Sequence, residues 1–175
     1  MSQPDYVFCP YCGVQLEPHT ILHQVRPGCP RCGFVHFHNP KVAVVGQIEQ
    51  DGRILLVRRG INPGKGLWAM PGGYMDAGEL PEDALRRELS EEVGLEVSIS
   101  ELVQIYPLVS RSPVSQGIVL VYRASPLVPD APLIAQDDVE EAHWFTPATL
   151  PVDLAFASTR ELLDRWVARQ NTKVS

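Results

Sequence analysis

The residues of this sequence with the clearest capacity for chemistry are four cysteines near its start. They form two Cys-x-x-Cys pairs, Cys9 with Cys12 and Cys29 with Cys32, separated by sixteen residues. A glycine follows each pair and permits the tight turn that aims two sulfur atoms at one ion. The spacing predicts a structural zinc site in which four thiolates leave no position for a catalytic water. Disulfides or a redox-active pair are the alternatives, although a reducing compartment keeps thiols free.

A second group of chemically capable residues is an acidic series in the middle of the chain. Glu88 and Glu92 are four residues apart, and Glu91 lies beside them. Like charges this close destabilise an isolated helix by roughly a few tenths of a kcal/mol per pair. Sequences often accept such a cost at functional sites. Convergent carboxylates suit a hard cation such as Mg²⁺ or Mn²⁺, and a solvated acidic face is the alternative.

The elements that must position these residues follow from the hydrophobic pattern. A helix is predicted over 81–93, where proline suits the first turn, glycine follows the end and apolar residues recur at four-residue spacing. Those apolar residues are Leu85, Leu89 and Val93. Strands are predicted over 41–49 and 53–58, joined by a hairpin turn. Helical periodicity resumes over 158–170, and Trp68 is interpreted as a core residue.

Composition and charge narrow the class of protein. Hydrophobic residues make up 45% and charged residues 21% of the chain, which is ordinary for a globular protein. The net charge of −6 argues against binding duplex DNA by bulk charge. No apolar run reaches the roughly 18 to 20 residues that span a bilayer, and Met1–Asp5 does not resemble a secretory signal. We therefore expect no membrane partner and a cytoplasmic location.

The segment 73–95 carries a spaced motif that covers the acidic series. It reads Gly73-x5-Glu79-x7-Arg87-Glu88-Leu89-x-Glu91-Glu92-x-Gly94-Leu95. This run matches the Nudix box at every fixed position, so the sequence resembles the Nudix hydrolase superfamily. The resemblance implies an α/β fold, an α/β/α sandwich with a mixed sheet, and cleavage of a nucleoside diphosphate linked to another moiety.

The resemblance also assigns roles to individual residues. It implies that the divalent ions are held by Glu88, Glu91, Glu92 and the carbonyl of Gly72. It implies that Glu79 pairs with Arg87 and holds the loop against the helix. In many members a late acidic residue takes a proton from the attacking water. The run 137–141 offers Asp138 and Glu141 as equal candidates for this base, and a solvated loop is the alternative for each.

The order of the two motifs indicates a branch of the superfamily. A zinc ribbon at 1–38 stands ahead of a Nudix domain at 39–175. This order is similar to the NADH pyrophosphatase and RNA-deNADding branch. The Pro-Trp-Pro-Phe-Pro motif of that branch is, however, absent after Gln116. Segments such as Gly66–Trp68 and Leu154–Ser158 resemble the branch that includes the plant chloroplast FAD and ADP-ribose pyrophosphatase. This resemblance implies FAD or ADP-ribose as substrate, with release of AMP. NADH, capped RNA and a non-catalytic ligand-sensing or partner-binding module are the alternatives.

Residues other than the fixed positions of the box are candidates for contacts with the substrate. Arg58 and Arg59 end a predicted strand, where a guanidinium can clamp a diphosphate, and a solvated strand end is the alternative. Tyr74 and Tyr106 can stack on adenine or flavin, and a place in the core is the alternative. The partner expected is therefore a small nucleotide. Nucleic acid is disfavoured, and the sequence leaves a homodimer open.

Overall fold

The computed structural model describes residues 6–108 and 117–173. The predictions that rest on Met1–Asp5, and the missing signature at Val114–Gln116, lie outside these residues. The chain divides into two compact units. The first comprises the residues up to Lys41 together with Leu108 and Gly117, and the second comprises Val42–Pro107 and the residues from Ile118 onward. Among the described residues, no helix is long and apolar enough to cross a bilayer.

The first unit is a small cysteine-containing ribbon. Strands β1 (Glu17–Ile21) and β2 (Gln24–Gly28) form an antiparallel hairpin. Within residues 6–41, the buried hydrophobic residues are Cys9 and Cys29. The unit therefore lacks an aliphatic core, and the cysteines occupy the place that such a core would take.

The second unit is built on a six-stranded sheet. Its strands are β3 (Lys41–Gln50), β4 (Arg53–Arg59), β5 (Trp68–Ala69), β6 (Val97–Leu108), β7 (Gly117–Pro126) and β8 (Val139–Phe145). The order in the sheet is β5-β4-β3-β7-β6, and β8 pairs with β4. The predicted strands β3 and β4 are confirmed, and both central residues of their turn, Asp51 and Gly52, have positive φ as a tight hairpin requires.

Two helices cover the faces of this sheet, which confirms the predicted sandwich. Helix α1 (Pro81–Val93) has the predicted bounds, and it ends at Gly94 with a left-handed φ of 69°. Helix α2 (Ala157–Lys173) extends the predicted second helix at both ends. Each helix packs on its own apolar cluster, here called the α1-face core and the α2-face core. Trp68 lies in the α2-face core, so its interpretation as a core residue is confirmed.

Candidate active site

The loop that leads into α1 is fixed by one arginine. Arg87 Nε donates to Glu79 Oε1 at 2.9 Å and its Nη2 donates to Glu79 Oε2 at 3.0 Å. The same Nη2 donates to the carbonyl of Tyr74 at 3.1 Å. This two-point ion pair lowers the pKa of Glu79 to about 2. The predicted pairing of Glu79 with Arg87 is confirmed, and it ties the loop to the first half of the helix.

Arg87 also contacts two of the predicted metal ligands. Its Nη1 donates to Glu88 Oε1 at 2.9 Å and to Glu91 Oε2 at 3.1 Å. Glu88 is largely buried, and burial raises its pKa, whereas about half of the Glu91 side chain is exposed. One cation therefore holds two carboxylates in fixed positions on the helix surface.

Glu92 is the most buried carboxylate of the site, with 4% of its surface exposed. The backbone N–H of Gly72 donates to its Oε2 at 2.8 Å. Burial raises the pKa of Glu92 to about 8, and the nearby carboxylates of Asp138 and Glu88 add to the rise. Carboxylate oxygens that converge in this way, two of them on groups with raised pKa values, match the donor set of a hard divalent ion.

Two glycines bring the backbone of the loop against this group. A Cβ atom on Gly72, whose φ is 136°, would lie 2.2 Å from the carbonyl oxygen of Val44. A Cβ atom on Gly73 would lie 2.5 Å from Oε2 of Glu88, which Arg87 holds in place. Only glycine therefore lets the loop reach Glu88 and Glu92 together.

Asp138 joins the group from outside the helix. Two hydrogen bonds join the segment before β8 to the end of α1. The N–H of Ile134 donates to the Val93 carbonyl at 3.1 Å, and the N–H of Gln136 donates to the Glu92 carbonyl at 3.0 Å. The Asp138 carboxylate then lies close enough to raise the pKa values of both Glu88 and Glu92. The structure thus brings together one of the two proposed bases with the box carboxylates.

The other proposed base, Glu141, is engaged elsewhere. It lies on β8 rather than in a loop, and its Oε1 accepts a 2.8 Å bond from Arg58 Nη1, which lowers its pKa. Arg58 alternates with Val57, which is in the α1-face core, so the Arg58 side chain turns to the α2 side of the sheet. Its Nε donates to the Gly66 carbonyl at 3.0 Å. The structure therefore does not bring Arg58 or Glu141 to the carboxylates of α1.

The remaining substrate candidates occupy different surroundings. Arg59 Nε donates to the Pro63 carbonyl at 2.7 Å, and its guanidinium lies 5.3 Å from the centre of the Phe156 ring. Tyr74 follows Gly73 and is half exposed. Tyr106 packs against the α2-face core, as the alternative interpretation of that residue expected. The structure does not bring Tyr106 together with the box.

Sequence reasoning missed two features of this region. An open groove beside α1 is lined by Ser90, Glu91, Gln136 and Asp137. The backbone N–H of Gly60 donates to the carbonyl of Asp138 at 2.6 Å. Neither feature has a signal in the sequence, because each depends on the contact of segments far apart along the chain.

The four cysteines form a separate centre in the first unit. Their sulfur atoms all lie within 4.8 Å of one another, and none forms a disulfide. The separations are 3.5 Å for Cys9 and Cys32, 3.4 Å for Cys12 and Cys29, and 3.7 Å for Cys12 and Cys32. A tetrahedral site with Zn–S bonds of about 2.3 Å has S···S edges of roughly 3.8 Å. The arrangement fits a closed Zn²⁺ site.

The two halves of the cysteine centre share one backbone design. Gly13 N–H donates to the Cys9 carbonyl at 2.9 Å, and Gly33 N–H donates to the Cys29 carbonyl at 3.1 Å. The φ angles of the two glycines are 70° and 75°. Each glycine thus supplies the left-handed turn that the sequence predicted for its pair.

Comparison with known proteins identifies the class to which this fold and site belong. The family model described as NUDIX domain matches residues 37–166. That match covers most of the chain, so the protein belongs to the Nudix family. It is an enzyme that hydrolyses diphosphate bonds.

Individual relatives refine the comparison. The chain is 40% identical over 130 residues to an ADP-ribose pyrophosphatase of Methanocaldococcus jannaschii, covering 73% of this chain and 75% of that protein. It is 28% identical over 167 residues to the NAD-capped RNA hydrolase NudC of Pseudomonas aeruginosa, covering 94% of this chain but only 56% of NudC. A crystal structure of a Nudix hydrolase from Nitrosomonas europaea matches with a TM-score of 0.81 at 28% identity, covering 94% of this chain and 92% of that one.

Proposed function

We propose that the protein is a divalent-metal-dependent pyrophosphatase that hydrolyses ADP-ribose to AMP and ribose 5-phosphate, with FAD as a further substrate of the same type. The observation that carries the choice of substrate is the 40% identity with the archaeal ADP-ribose pyrophosphatase. The observation that supports catalysis is the group of Glu88, Glu92 and Asp138 carboxylates around a loop fixed by Arg87.

The carboxylates of α1 are the residues that would hold the catalytic ions. In this proposal the ligands are Glu88, Glu91, Glu92 and the Gly72 carbonyl. Bound Mg²⁺ or Mn²⁺ neutralises charge on phosphate oxygens and lowers the pKa of a nearby water. The raised pKa values of Glu88 and Glu92 support this assignment, since a cation relieves the repulsion that burial intensifies.

The remaining roles are the positioning of the ligands and the transfer of a proton from water. Arg87 holds Glu88 and Glu91 in place and itself contacts no reacting atom in this proposal. Asp138 accepts the proton of the attacking water while the oxygen of that water bonds to phosphorus and the bond to the leaving phosphate breaks. The ion pair with Arg58 argues against Glu141 as the base, because a paired carboxylate with a lowered pKa is a weak proton acceptor.

Substrate contacts and the ribbon complete the proposal. Tyr74, half exposed directly after Gly73, is the candidate for stacking on the base, and Arg59 is the candidate for contacting the diphosphate. The ribbon at 1–38 binds one structural Zn²⁺ and the Nudix domain at 39–175 carries the chemistry. The four thiolates require a reducing compartment, which supports a cytoplasmic location.

A second candidate function is cleavage of NADH or of NAD-capped RNA. The observation in its favour is that the similarity to NudC spans 94% of this chain, which requires that it extend into the cysteine-containing ribbon. A non-catalytic sensing or partner-binding module is the weaker alternative, because every carboxylate of the box is present.

A substrate panel distinguishes these functions. ADP-ribose, FAD, NADH and NAD-capped RNA would each be incubated with the full chain in Mg²⁺ and in Mn²⁺, and the products separated by chromatography. The matched control is the Glu92→Gln protein from the same preparation. We expect AMP with ribose 5-phosphate, and AMP with FMN, as the preferred product pairs. A kcat/KM for NADH or capped RNA at least tenfold above both would overturn the choice of substrate.

A further inference from the structure

We propose that Gly60, at the end of β4, is a positioning residue that delivers the Asp138 carboxylate to the active site. The inference rests on the proposed function because it takes Asp138 as part of that site. Gly60 lies outside the Nudix box and has no side chain to act in chemistry. Its role is carried by its backbone and by the absence of a Cβ atom.

The pairing of β4 with β8 contains an irregularity next to Asp138. Arg58 pairs with Glu141, but Arg59 pairs with Val139, so Glu140 is an extra residue on the second strand. Such a bulge changes the side of the sheet toward which the following residues point.

The packing of β8 shows that the bulge changes which of its side chains face α1. Ala142 packs against the α1-face core, and strict alternation would turn Val139 to the other face. Val139 is nevertheless buried in the α1-face core. The bulge therefore places Val139, the residue next to Asp138, on the side of the sheet where Glu88 and Glu92 lie.

Gly60 holds the other side of this turn at close range. Its N–H donates to the Asp138 carbonyl oxygen at 2.6 Å. A Cβ atom on Gly60 would lie 2.8 Å from the same oxygen and 3.2 Å from the Asp138 carbonyl carbon. These are backbone atoms, which cannot yield by changing a rotamer, so a side chain at position 60 must displace Asp138 itself.

Two further hydrogen bonds fix this segment, one within it and one to α1. Val139 N–H donates to the Gln136 carbonyl at 3.1 Å, and Gln136 N–H donates to the Glu92 carbonyl at 3.0 Å. Asp138 is thus held between α1 and the end of β4. A displacement caused at Gly60 alters the distance from Asp138 to Glu92, because the helix side stays fixed.

The test is a double-mutant cycle of Gly60→Ala and Asp138→Asn. Two quantities are measured for each protein: kcat on ADP-ribose, and the Mn²⁺ affinity of the substrate-free protein by calorimetry. The control is Gly52→Ala, which strains a left-handed φ of 71° in open space and contacts nothing near Asp138. We expect Gly60→Ala to lower kcat about tenfold or more and to weaken Mn²⁺ binding on the order of tenfold, and to have no further effect in the Asp138→Asn protein. Gly52→Ala should lower only the melting temperature.

Losses that add in the double variant, or a Gly60→Ala protein that behaves like Gly52→Ala, would overturn the role of Gly60. If Asp138→Asn alone leaves kcat unchanged, the proposed base is wrong, whereas the displacement of Asp138 in a crystal structure of Gly60→Ala still decides the positioning role. If Gly60→Ala does not fold, the test uses NMR of the unmodified protein instead. The quantity measured is the scalar coupling across the hydrogen bond from Gly60 N–H to the Asp138 carbonyl. Absence of that coupling overturns the proposal.

Discussion

The cysteine centre and the carboxylate site of this protein use metal ligands in opposite ways. In the ribbon, Cys9 and Cys29 are the buried hydrophobic residues among residues 6–41, so the ligands themselves are the core. In the Nudix unit, Leu85 and Leu89 bury one side of α1 completely while Glu91 on the other side stays half exposed. An ion in the ribbon therefore completes a fold, whereas an ion in the box is added to a fold that already exists. The two regions should respond differently to the loss of a ligand.

The largest effect on activity is expected from Glu92→Gln. The amide still accepts the bond from Gly72 N–H but supplies no charge to the ions, so kcat should fall on the order of 10³-fold. Because the pKa of Glu92 is about 8, the unmodified protein carries a buried charge above that pH when metal is absent. In chelator at pH 9, the melting temperature of Glu92→Gln should equal or exceed that of the unmodified protein.

The control for this variant is Asp83→Asn, on an exposed residue of the same helix. It should retain activity near the level of the unmodified protein. Substantial turnover by Glu92→Gln with an unchanged melting temperature would remove Glu92 from the list of ligands.

The opposite pattern is expected from Cys29→Ser in the ribbon. Metal analysis of the unmodified protein, purified without chelator, should find about one zinc per chain, and the variant should lose most of it. Unfolding of the ribbon should then occur at lower denaturant concentration, while kcat on ADP-ribose changes less than threefold.

Pro30→Ala is the matched control, since Pro30 lies in the same turn and offers no ligand atom. It should retain zinc. A disulfide within either cysteine pair and no zinc under reducing purification would refute the closed metal site.

A smaller effect separates the two candidate bases. Asp138→Asn should lower kcat on the order of 10²-fold, the lower end of the usual contribution of a positioned base. Glu141→Gln should lower it less than threefold, because that residue pairs with Arg58 on the other side of the sheet. Rate measurements of the two variants in parallel decide the point, and the reverse ranking would restore Glu141 as the base.

These two acidic residues also show where the sequence stops being informative. The helix could be predicted to the residue, because its start and end depend on local signals at Pro81 and Gly94. The choice between Asp138 and Glu141 could not, because Asp138 lies in the turn before β8, and that turn is held beside α1 by long-range hydrogen bonds to Glu92 and Gly60. The partner of Arg58 likewise depends on the register of β4 against β8.

The smallest expected effect concerns pH and the loop before α1. The pKa of Glu79 is about 2 in the folded protein against an ordinary value of 4.5, so its charge stabilises the fold above pH 4.5 and less as the pH falls toward 2. Glu79→Gln should therefore lower the urea midpoint at pH 6, and the difference should shrink by pH 3. Glu96→Gln, on an exposed glutamate, is the control and should show no such trend. A difference that stays constant with pH would contradict the ion pair with Arg87.

The comparison between the two regions is tested most directly by anomalous diffraction from one crystal soaked in Mn²⁺, with data collected at the zinc and manganese edges. The account predicts a zinc peak at the centre of the four cysteine sulfur atoms and one or more manganese peaks against Glu88, Glu91 and Glu92. Chelator added before the Mn²⁺ soak should leave the fold of the Nudix unit intact. A manganese peak among the cysteines, or none at the three glutamates, would contradict the central claim that the ribbon is built around its metal and the box is built to receive one.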